Sequence, residues 1–171
     1  KSSFDHAGDY EAMRLLTHHT GKRLWEAAKR TVAEQAILDD RSLYWSRLSL
    51  TAYLRASQLA VPLSSNQRIS LIERLENSSR GRDSIEFTAG AVKKILVTGF
   101  DPFLLDKHID QSNPSGIVAL NLDGQTLTYG QASAEIQTAI FPVRFEDFDA
   151  GEVEQLIEPL LKTRQVDMIV T

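Results

Sequence analysis

The hydrophobic periodicity of this 171-residue chain changes near residue 91, and that change constrains its fold more than any other feature. Up to about residue 77, apolar residues recur at the three- and four-residue spacing of amphipathic helices. From residue 91, short β-branched runs alternate with helical stripes, and this order predicts a parallel sheet with right-handed crossovers. We therefore predict an α/β fold, a parallel-sheet α/β/α sandwich that is incomplete in this chain. It follows an all-helical extension, with domains over residues 1–90 and 91–171.

The first half of the extension predicts two helical segments, over residues 10–18 and 22–38. Trp25, Ala28 and Val32 form the apolar face of the second segment. Thr20-Gly21 lies between the segments and either separates or only bends them.

The second half of the extension predicts two more helices. One runs near residues 42–58 with Asp40 as its N-cap, and it buries Leu43, Leu48, Leu50 and Leu54. The other opens with a capping-box pattern at Ser64 and Gln67 and stops at Gly81. Its expected apolar stripe consists of Ile69, Ile72 and Leu75.

The part after residue 90 predicts three buried strands, over residues 95–97, 136–141 and 166–170. Between the first two, Asn113-Pro114 opens a helix, because proline suits the first helical position. A second helix follows, with Asp149 as its expected cap and Pro159 as an expected kink or restart. Its stripe is Val153, Leu156, Ile157, Leu160 and Leu161.

Charge and composition exclude several classes of partner and chemistry. Residues 91–171 carry 6 Lys and Arg against 12 Asp and Glu, so this part should repel nucleic acid and anionic membranes. The sequence contains no run of eighteen apolar residues, so it predicts no membrane-spanning helix. Cysteine is absent, which excludes disulfides, thiolate metal sites and a cysteine nucleophile within these residues. We expect no nucleic-acid partner and no membrane partner.

The most informative stretch leaves the first predicted strand at its carboxyl end, where open α/β sheets bind ligands. It reads Thr98-Gly99-Phe100-Asp101-Pro102-Phe103 and is followed, after a loop, by Asn113-Pro114-Ser115. On spacing alone, Phe100 and Phe103 either line a small apolar pocket or seal the strand end as core residues. A dinucleotide-binding turn is less favoured, because no further glycines follow Gly99.

Residues 94–103 together with Asn113-Pro114-Ser115 resemble the N-terminal signature of pyroglutamyl peptidases (pyrrolidone-carboxylate peptidases). In that family the first strand runs into a Thr-Gly-Phe-x-Pro-Phe loop, and Asn-Pro-Ser follows. Phe141-Pro142-Val143, with an aromatic residue at Phe145, also matches in order and spacing. The resemblance covers about 80 residues, from 93 to 171. Residues 1–90 lie outside the compact family domain and look like the helical extension of longer relatives.

The resemblance implies a cysteine peptidase that removes N-terminal pyroglutamate from peptides with a Glu-Cys-His triad and without a metal or cofactor. Phe100 and Phe103 match the family's aromatic residues around the pyrrolidone ring and are our candidate substrate-binding residues. The family's Gly-Gly after Pro-Phe is Leu104-Leu105 here, and the loop to Asn113 is longer. We expect the catalytic Glu, Cys and His to lie beyond Thr171, so the chain alone should be inactive and contains no catalytic residue. The alternative is a non-catalytic α/β binding or interaction module.

Other polar clusters are weaker candidates. His108 with Asp106 and Asp110 is expected to be a solvated loop, and the acidic residues 146–149 are expected to favour a helix N-terminus. A strand edge without neighbours invites pairing, so we expect either the N-terminal helices or a second chain, as in a homo-oligomer, to complete the sheet. The family default predicts a cytoplasmic protein, and a first residue other than Met leaves an exported form open.

Overall fold

Three helices make up most of the extension in the computed structural model, which describes residues 3–35, 38–56, 59, 61–89 and 93–171. Helix α1 spans Tyr10–Gln35, α2 spans Arg41–Ala56 and α3 spans Ser65–Ser79. α1 packs along α3 and α2 over a core that includes Met13, Leu54, Leu71 and Leu75. The predicted end of α2 at Gln58 and the predicted domain boundary at residues 90 and 91 lie outside the described residues.

Thr20-Gly21 does not separate two helices, because α1 runs through both residues. A Cβ atom on Gly21 would lie 1.9 Å from the Oγ of Ser78 on α3. The glycine therefore permits a close approach of two helices. It does not act as a helix stop.

The predicted stripes of α2 and α3 are wrong in part, since Leu48 and Ile69 are exposed and Leu71 is fully buried. The buried face of α2 carries Arg47 and Thr51 beside Leu43 and Leu54. Hydrophobic spacing alone cannot find this face because two of its four members are polar. The capping box of α3 is confirmed: the backbone N–H of Gln67 donates to Ser64 Oγ at 3.2 Å, and the N–H of Ser64 donates to Gln67 Oε1 at 2.9 Å.

The α/β part is a four-stranded sheet in the order β2-β3-β1-β4. β1 is Lys93–Phe100, β2 Thr126–Tyr129, β3 Ala132–Phe141 and β4 Met168–Val170. β1 pairs in parallel with β3 and β4, whereas β2 pairs antiparallel with β3 at the edge. The α/β fold after a helical part is thus confirmed, and the three predicted strands are present. β2 escaped prediction because it is short and all four of its residues are exposed.

Three helices accompany the sheet: α4 at Pro114–Leu122, α5 at Phe145–Asp149 and α6 at Glu152–Lys162. Asn113 caps α4 as predicted, and its Oδ1 accepts from the N–H of Ser115 at 3.1 Å. The prediction that Asp149 caps α6 is wrong, because Asp149 ends α5 and Gly151 precedes α6. α6 continues through Pro159 as one helix.

The extension and the sheet share a hydrophobic core. Trp25, Val32 and Leu43 pack with residues of α4 and with Ile140 on β3, and Trp25 Nε1–H donates to Asp123 Oδ2 at 3.2 Å. The backbone N–H of Ile140 donates to the carbonyl of Arg80 at 2.9 Å, so the end of α3 also bonds the outer edge of β3. The N-terminal helices therefore contact the sheet at this end, and its completion by these helices or by a second chain stays a prediction.

No helix in the part of the chain that the structure describes is long and apolar enough to cross a bilayer.

Candidate functional site

The carboxyl ends of β1 and β3 meet the extension at a cleft of about 730 Å³. Phe100 pairs in register with Phe141, and the next backbone N–H, that of Asp101, donates to the Phe141 carbonyl at 2.9 Å. α2, α3, α5 and α6 all contribute side chains to the walls of this cleft. The cleft lies where open α/β sheets place their ligands.

Asp101 is the centre of a buried ion-pair network at the floor of the cleft. Its Oδ1 pairs with Arg47 Nη2, and its Oδ2 lies 2.7 Å from Arg80 Nη1. The side chains of Arg47, Arg80 and Asp101 are only 3%, 7% and 5% exposed. Burial alone would raise the pKa of Asp101, but the charges of the two guanidinium groups outweigh it and lower that pKa. Arg47 and Arg80, two residues of the extension, therefore keep Asp101 ionised and anchor the loop of residues 101–113 that follows β1 (the signature loop).

Glu76 on α3 shares the same arginines. Its Oε2 lies 2.9 Å from Arg80 Nε and 3.4 Å from Arg47 Nε. These contacts couple α2 and α3 to the end of β1 through one connected set of charges. Removing any member would leave a buried charge without one of its partners, which is the costly way to break such a network.

Asn113 fastens the other end of the signature loop. Its Nδ2 donates to the carbonyl of Asp101 at 2.9 Å, while its backbone N–H donates to Asp40 Oδ1 at 3.1 Å. Ser115 Oγ accepts from the N–H of Phe100 at 3.1 Å and donates to Asn113 Oδ1 at 2.9 Å. The Asn-Pro-Ser motif thus works locally as a helix cap that also ties α4 to the end of β1.

Asp40 takes the predicted N-cap position of α2, where its carbonyl accepts from the N–H of Tyr44 at 3.3 Å. Its side chain, however, points to Asn113 of the signature, and the neighbouring Asp39 accepts from the N–H of Arg41 at 2.9 Å. Asp40 is buried and its Oδ2 has no hydrogen-bond partner among the described residues. Burial, reinforced by the charges of two nearby carboxylates, raises the pKa of Asp40 to about 6.

The two predicted substrate-binding residues lie in different surroundings. Phe100 is half-buried, with its ring 6.3 Å from that of Phe141 and 5.9 Å from that of Phe148. Phe103 is 42% exposed, so it is not a sealed core residue. Neither ring lines the cleft that contains Asp101. Their substrate-binding role stays a prediction, now attached to the loop surface beside that cleft.

Leu104 stands where the pyroglutamyl-peptidase signature that this sequence resembles has a glycine. Its φ angle is +57°, in the left-handed region where glycine is at home and a leucine is strained. The carbonyl of Leu104 accepts from the N–H groups of Lys107 and His108, at 3.0 and 2.9 Å, so the turn is well formed. The backbone therefore keeps a glycine-type turn although a leucine occupies it.

The weaker candidates do not converge into a site. His108, Asp106 and Asp110 are all exposed on the long loop. In the acidic segment, Asp147 is paired with Arg144 at 2.7 Å. Across the described ranges, no group of three or more His, Asp or Glu side chains could hold a metal ion.

Sequence reasoning missed the arginines that dominate the cleft. One signal was available: Arg47 lies four residues after Leu43 and seven before Leu54, which places it on the buried stripe of α2. A charged residue at such a position needs a buried partner of opposite charge. Its partner lies 54 residues away in sequence, at Asp101, and only the fold brings the two together.

Comparison with known proteins gives matches over both parts of the chain. Residues 1–76 match the family model of the PA0049 N-terminal domain, and residues 94–171 match that of the PA0049 C-terminal domain. Both parts of the chain therefore resemble PA0049. The uncharacterized protein PA0049 of Pseudomonas aeruginosa is 30% identical over 184 residues, which cover 94% of this chain and 33% of that protein. The chain thus spans about a third of the length of this curated relative, and no solved structure matches it.

Proposed function

We propose that this chain is the N-terminal, substrate-binding part of a pyroglutamyl-peptidase-like cysteine hydrolase. Phe100 and Phe103 would bind the pyrrolidone ring of a peptide with N-terminal pyroglutamate. The observation that carries the proposal is the signature loop itself. It leaves the central parallel strand at the ligand-binding edge of the sheet and presents Phe103 to solvent.

The loop is held firmly enough to form a binding surface. Asp101 is fixed by two guanidinium groups, by its own backbone hydrogen bond and by Asn113. Beyond this anchor the loop exposes three apolar side chains, those of Phe103, Leu104 and Ile109. Exposed apolar groups on a rigid loop are typical of a surface that receives an apolar ligand.

The chemistry of the ligand suits this surface. A pyrrolidone ring is small, uncharged and flat, so apolar contacts and a few backbone hydrogen bonds suffice to recognise it. Cysteine is absent from these 171 residues. In the proposal the thiolate nucleophile and its partners are therefore contributed by sequence outside them. The greater length of PA0049 leaves room for such a segment.

Binding can be tested on this chain. 2-Pyrrolidone should produce saturable shifts in the NMR signals of the Phe100 and Phe103 rings, and Phe103→Ala should weaken the effect about tenfold. Tyr129→Ala is the matched control, because Tyr129 is 91% exposed on the distant edge strand β2. Equal weakening by both variants, or no saturable shift at all, would refute the binding role.

Activity is tested on a protein that carries these residues with the sequence that follows them. Release of p-nitroaniline from pyroglutamyl-p-nitroanilide should be blocked by iodoacetamide. Phe103→Ala should raise KM clearly and lower the melting temperature only slightly. The 171-residue chain alone should give background rates, because it lacks the thiolate. Binding of 2-pyrrolidone without turnover in the longer protein would favour the non-catalytic binding module.

A further inference from the structure

The cleft between the extension and the sheet is lined by guanidinium groups that exceed what the signature loop uses. Arg47 and Arg80 contact Asp101, and Arg82 pairs with Glu152 on α6. The side chain of Arg82 is 9% exposed, and its guanidinium carbon lies 4.8 Å from the ring centre of Phe141. The volume of about 730 Å³ is that of a small-molecule site.

Several N–H donors of the arginines that line this cleft have no acceptor. Arg47 Nη1 and Arg82 Nε and Nη2 are buried without a hydrogen-bond partner in the described part of the chain. Arg80 Nη1 also lacks hydrogen-bond alignment, although it lies 2.7 Å from Asp101 Oδ2 as an ion pair. Leaving a buried charged donor unpaired costs free energy, which an incoming acceptor would recover. A ligand for this cleft therefore brings oxygen acceptors.

Electrostatics singles out the same two arginines. Burial lowers the pKa of Arg47 and that of Arg82, and the nearby charge of Arg80 lowers both further. The pKa of Arg80 is raised, since Asp101 and Glu76 together outweigh its burial. Arg47 and Arg82 are thus the two of these three arginines whose burial is not offset by their acidic partners.

The geometry of the free donors selects the type of acceptor. Nε and Nη2 lie on one edge of a guanidinium group, and their two parallel N–H bonds match the two oxygens of a carboxylate. The three arginines already face three carboxylates, those of Asp101, Glu76 and Glu152. The lining as a whole carries five arginines against six aspartates and glutamates, so a group with one negative charge meets less repulsion there than a doubly charged phosphate.

We propose that this cleft binds the carboxylate group of a small organic acid, with Arg82 as the bidentate donor and Arg47 Nη1 as a third donor. The unpaired nitrogen atoms are shielded from solvent, so binding requires the side chain of Arg82 to turn toward the cleft. The site is independent of the proposed pyrrolidone surface, because a pyrrolidone ring carries no charge and Phe100 and Phe103 do not line this cleft.

The test is an NMR titration of the ¹⁵N-labelled 171-residue chain with sodium propionate, followed through the arginine Nε–H signals. Saturable shifts of the Arg82 signal are expected with propionate and not with sodium chloride at equal ionic strength. Inorganic phosphate should bind at least about tenfold more weakly. No saturable shift, the same shift with chloride, or tighter binding of phosphate would each overturn the proposal.

Variants then locate the site. Arg82→Lys keeps the charge and loses the planar fork, so it should weaken propionate binding about tenfold. Arg30→Lys on the exposed face of α1 is the control and should leave binding unchanged. Should Arg82→Lys fail to fold, the double variant Arg82→Gln/Glu152→Gln removes both charges of one pair and should abolish binding. Unweakened binding in a folded Arg82 variant would refute the assignment.

Discussion

Asp40→Asn should make the protein more stable at neutral pH and remove part of its pH dependence. Asp40 is buried, its Oδ2 is unpaired, and its pKa is raised from 3.8 to about 6. A Cβ atom on Gly116 would lie 2.7 Å from Asp40 Oδ2 and 2.6 Å from the Phe100 carbonyl oxygen. The Phe100 carbonyl is therefore a second acceptor close to Oδ2. Asparagine keeps an oxygen for the N–H of Asn113 and replaces the unpaired carboxylate oxygen with a neutral donor.

The magnitude follows from the difference between the two pKa values. A rise from 3.8 to about 6 means that the folded state binds the proton more tightly than the unfolded state. The corresponding stability is fully present below pH 3.8 and is lost as the pH rises to about 6. At ~1.4 kcal/mol per pKa unit, the loss is about 3 kcal/mol and stays constant at higher pH.

Urea unfolding of the wild type and Asp40→Asn should be compared at intervals from pH 4 to pH 7.5. The difference in unfolding free energy should grow by about 2–2.5 kcal/mol in favour of the variant across that window, because pH 4 already lies above the unfolded pKa of 3.8. Asp39→Asn is the matched control with the opposite sign. The hydrogen bond from Arg41 lowers the pKa of Asp39, so that variant should lose stability above pH 4. Parallel pH profiles for the wild type and Asp40→Asn would refute the argument.

Three further substitutions test the network, a turn and a close contact. Arg47→Met removes one partner of the buried Asp101 and should lower the unfolding free energy by about 3–5 kcal/mol in urea titrations; a loss near zero would show that Asp101 does not need it. Gly81→Ala places a Cβ atom 2.7 Å from an indole carbon of Trp25, at a φ angle of +75°. It should lower the unfolding free energy several times more than Gly124→Ala, for which ~1–2 kcal/mol is expected because Gly124 has a φ angle of +78° and open space around it. Leu104→Gly relieves a left-handed φ of +57° and should raise stability by up to about 1 kcal/mol, so a lower melting temperature would contradict the strain.

The sequence predicts the fold where one local rule decides the outcome. The capping box at Ser64, the proline-led start of α4 and the apolar strands β1 and β3 each follow from short-range chemistry. The loop at Phe100–Phe103 was located by its motif and lies at the sheet edge where it was expected.

The parts that sequence reasoning missed depend on distant partners. The buried stripe of α2 contains Arg47, which is stable there only because Asp101 comes to meet it. Asp40 was predicted to cap its own helix, but its side chain bonds Asn113, 73 residues later. The sequence leaves open whether Gly21 separates or only bends two helices, whereas in the structure Gly21 lies inside α1 and permits its close approach to α3. In each case the tertiary contact overrides the local preference, and that contact is invisible to a local reading.

The hydrogen bond from Ile140 to the Arg80 carbonyl has a practical consequence for anyone who dissects this protein. Expression of a fragment that begins at Lys93, the first residue of β1, would strip β3 of that acceptor and Asp101 of both guanidinium groups. It would also uncover the surface of Ala119, Leu120 and Ile140 that now packs against Trp25. Such a fragment should be insoluble when expressed alone, and it should be rescued by co-expression of residues 1–89 as a separate polypeptide. The two regions can be told apart in the sequence, but we expect them to unfold in a single cooperative transition.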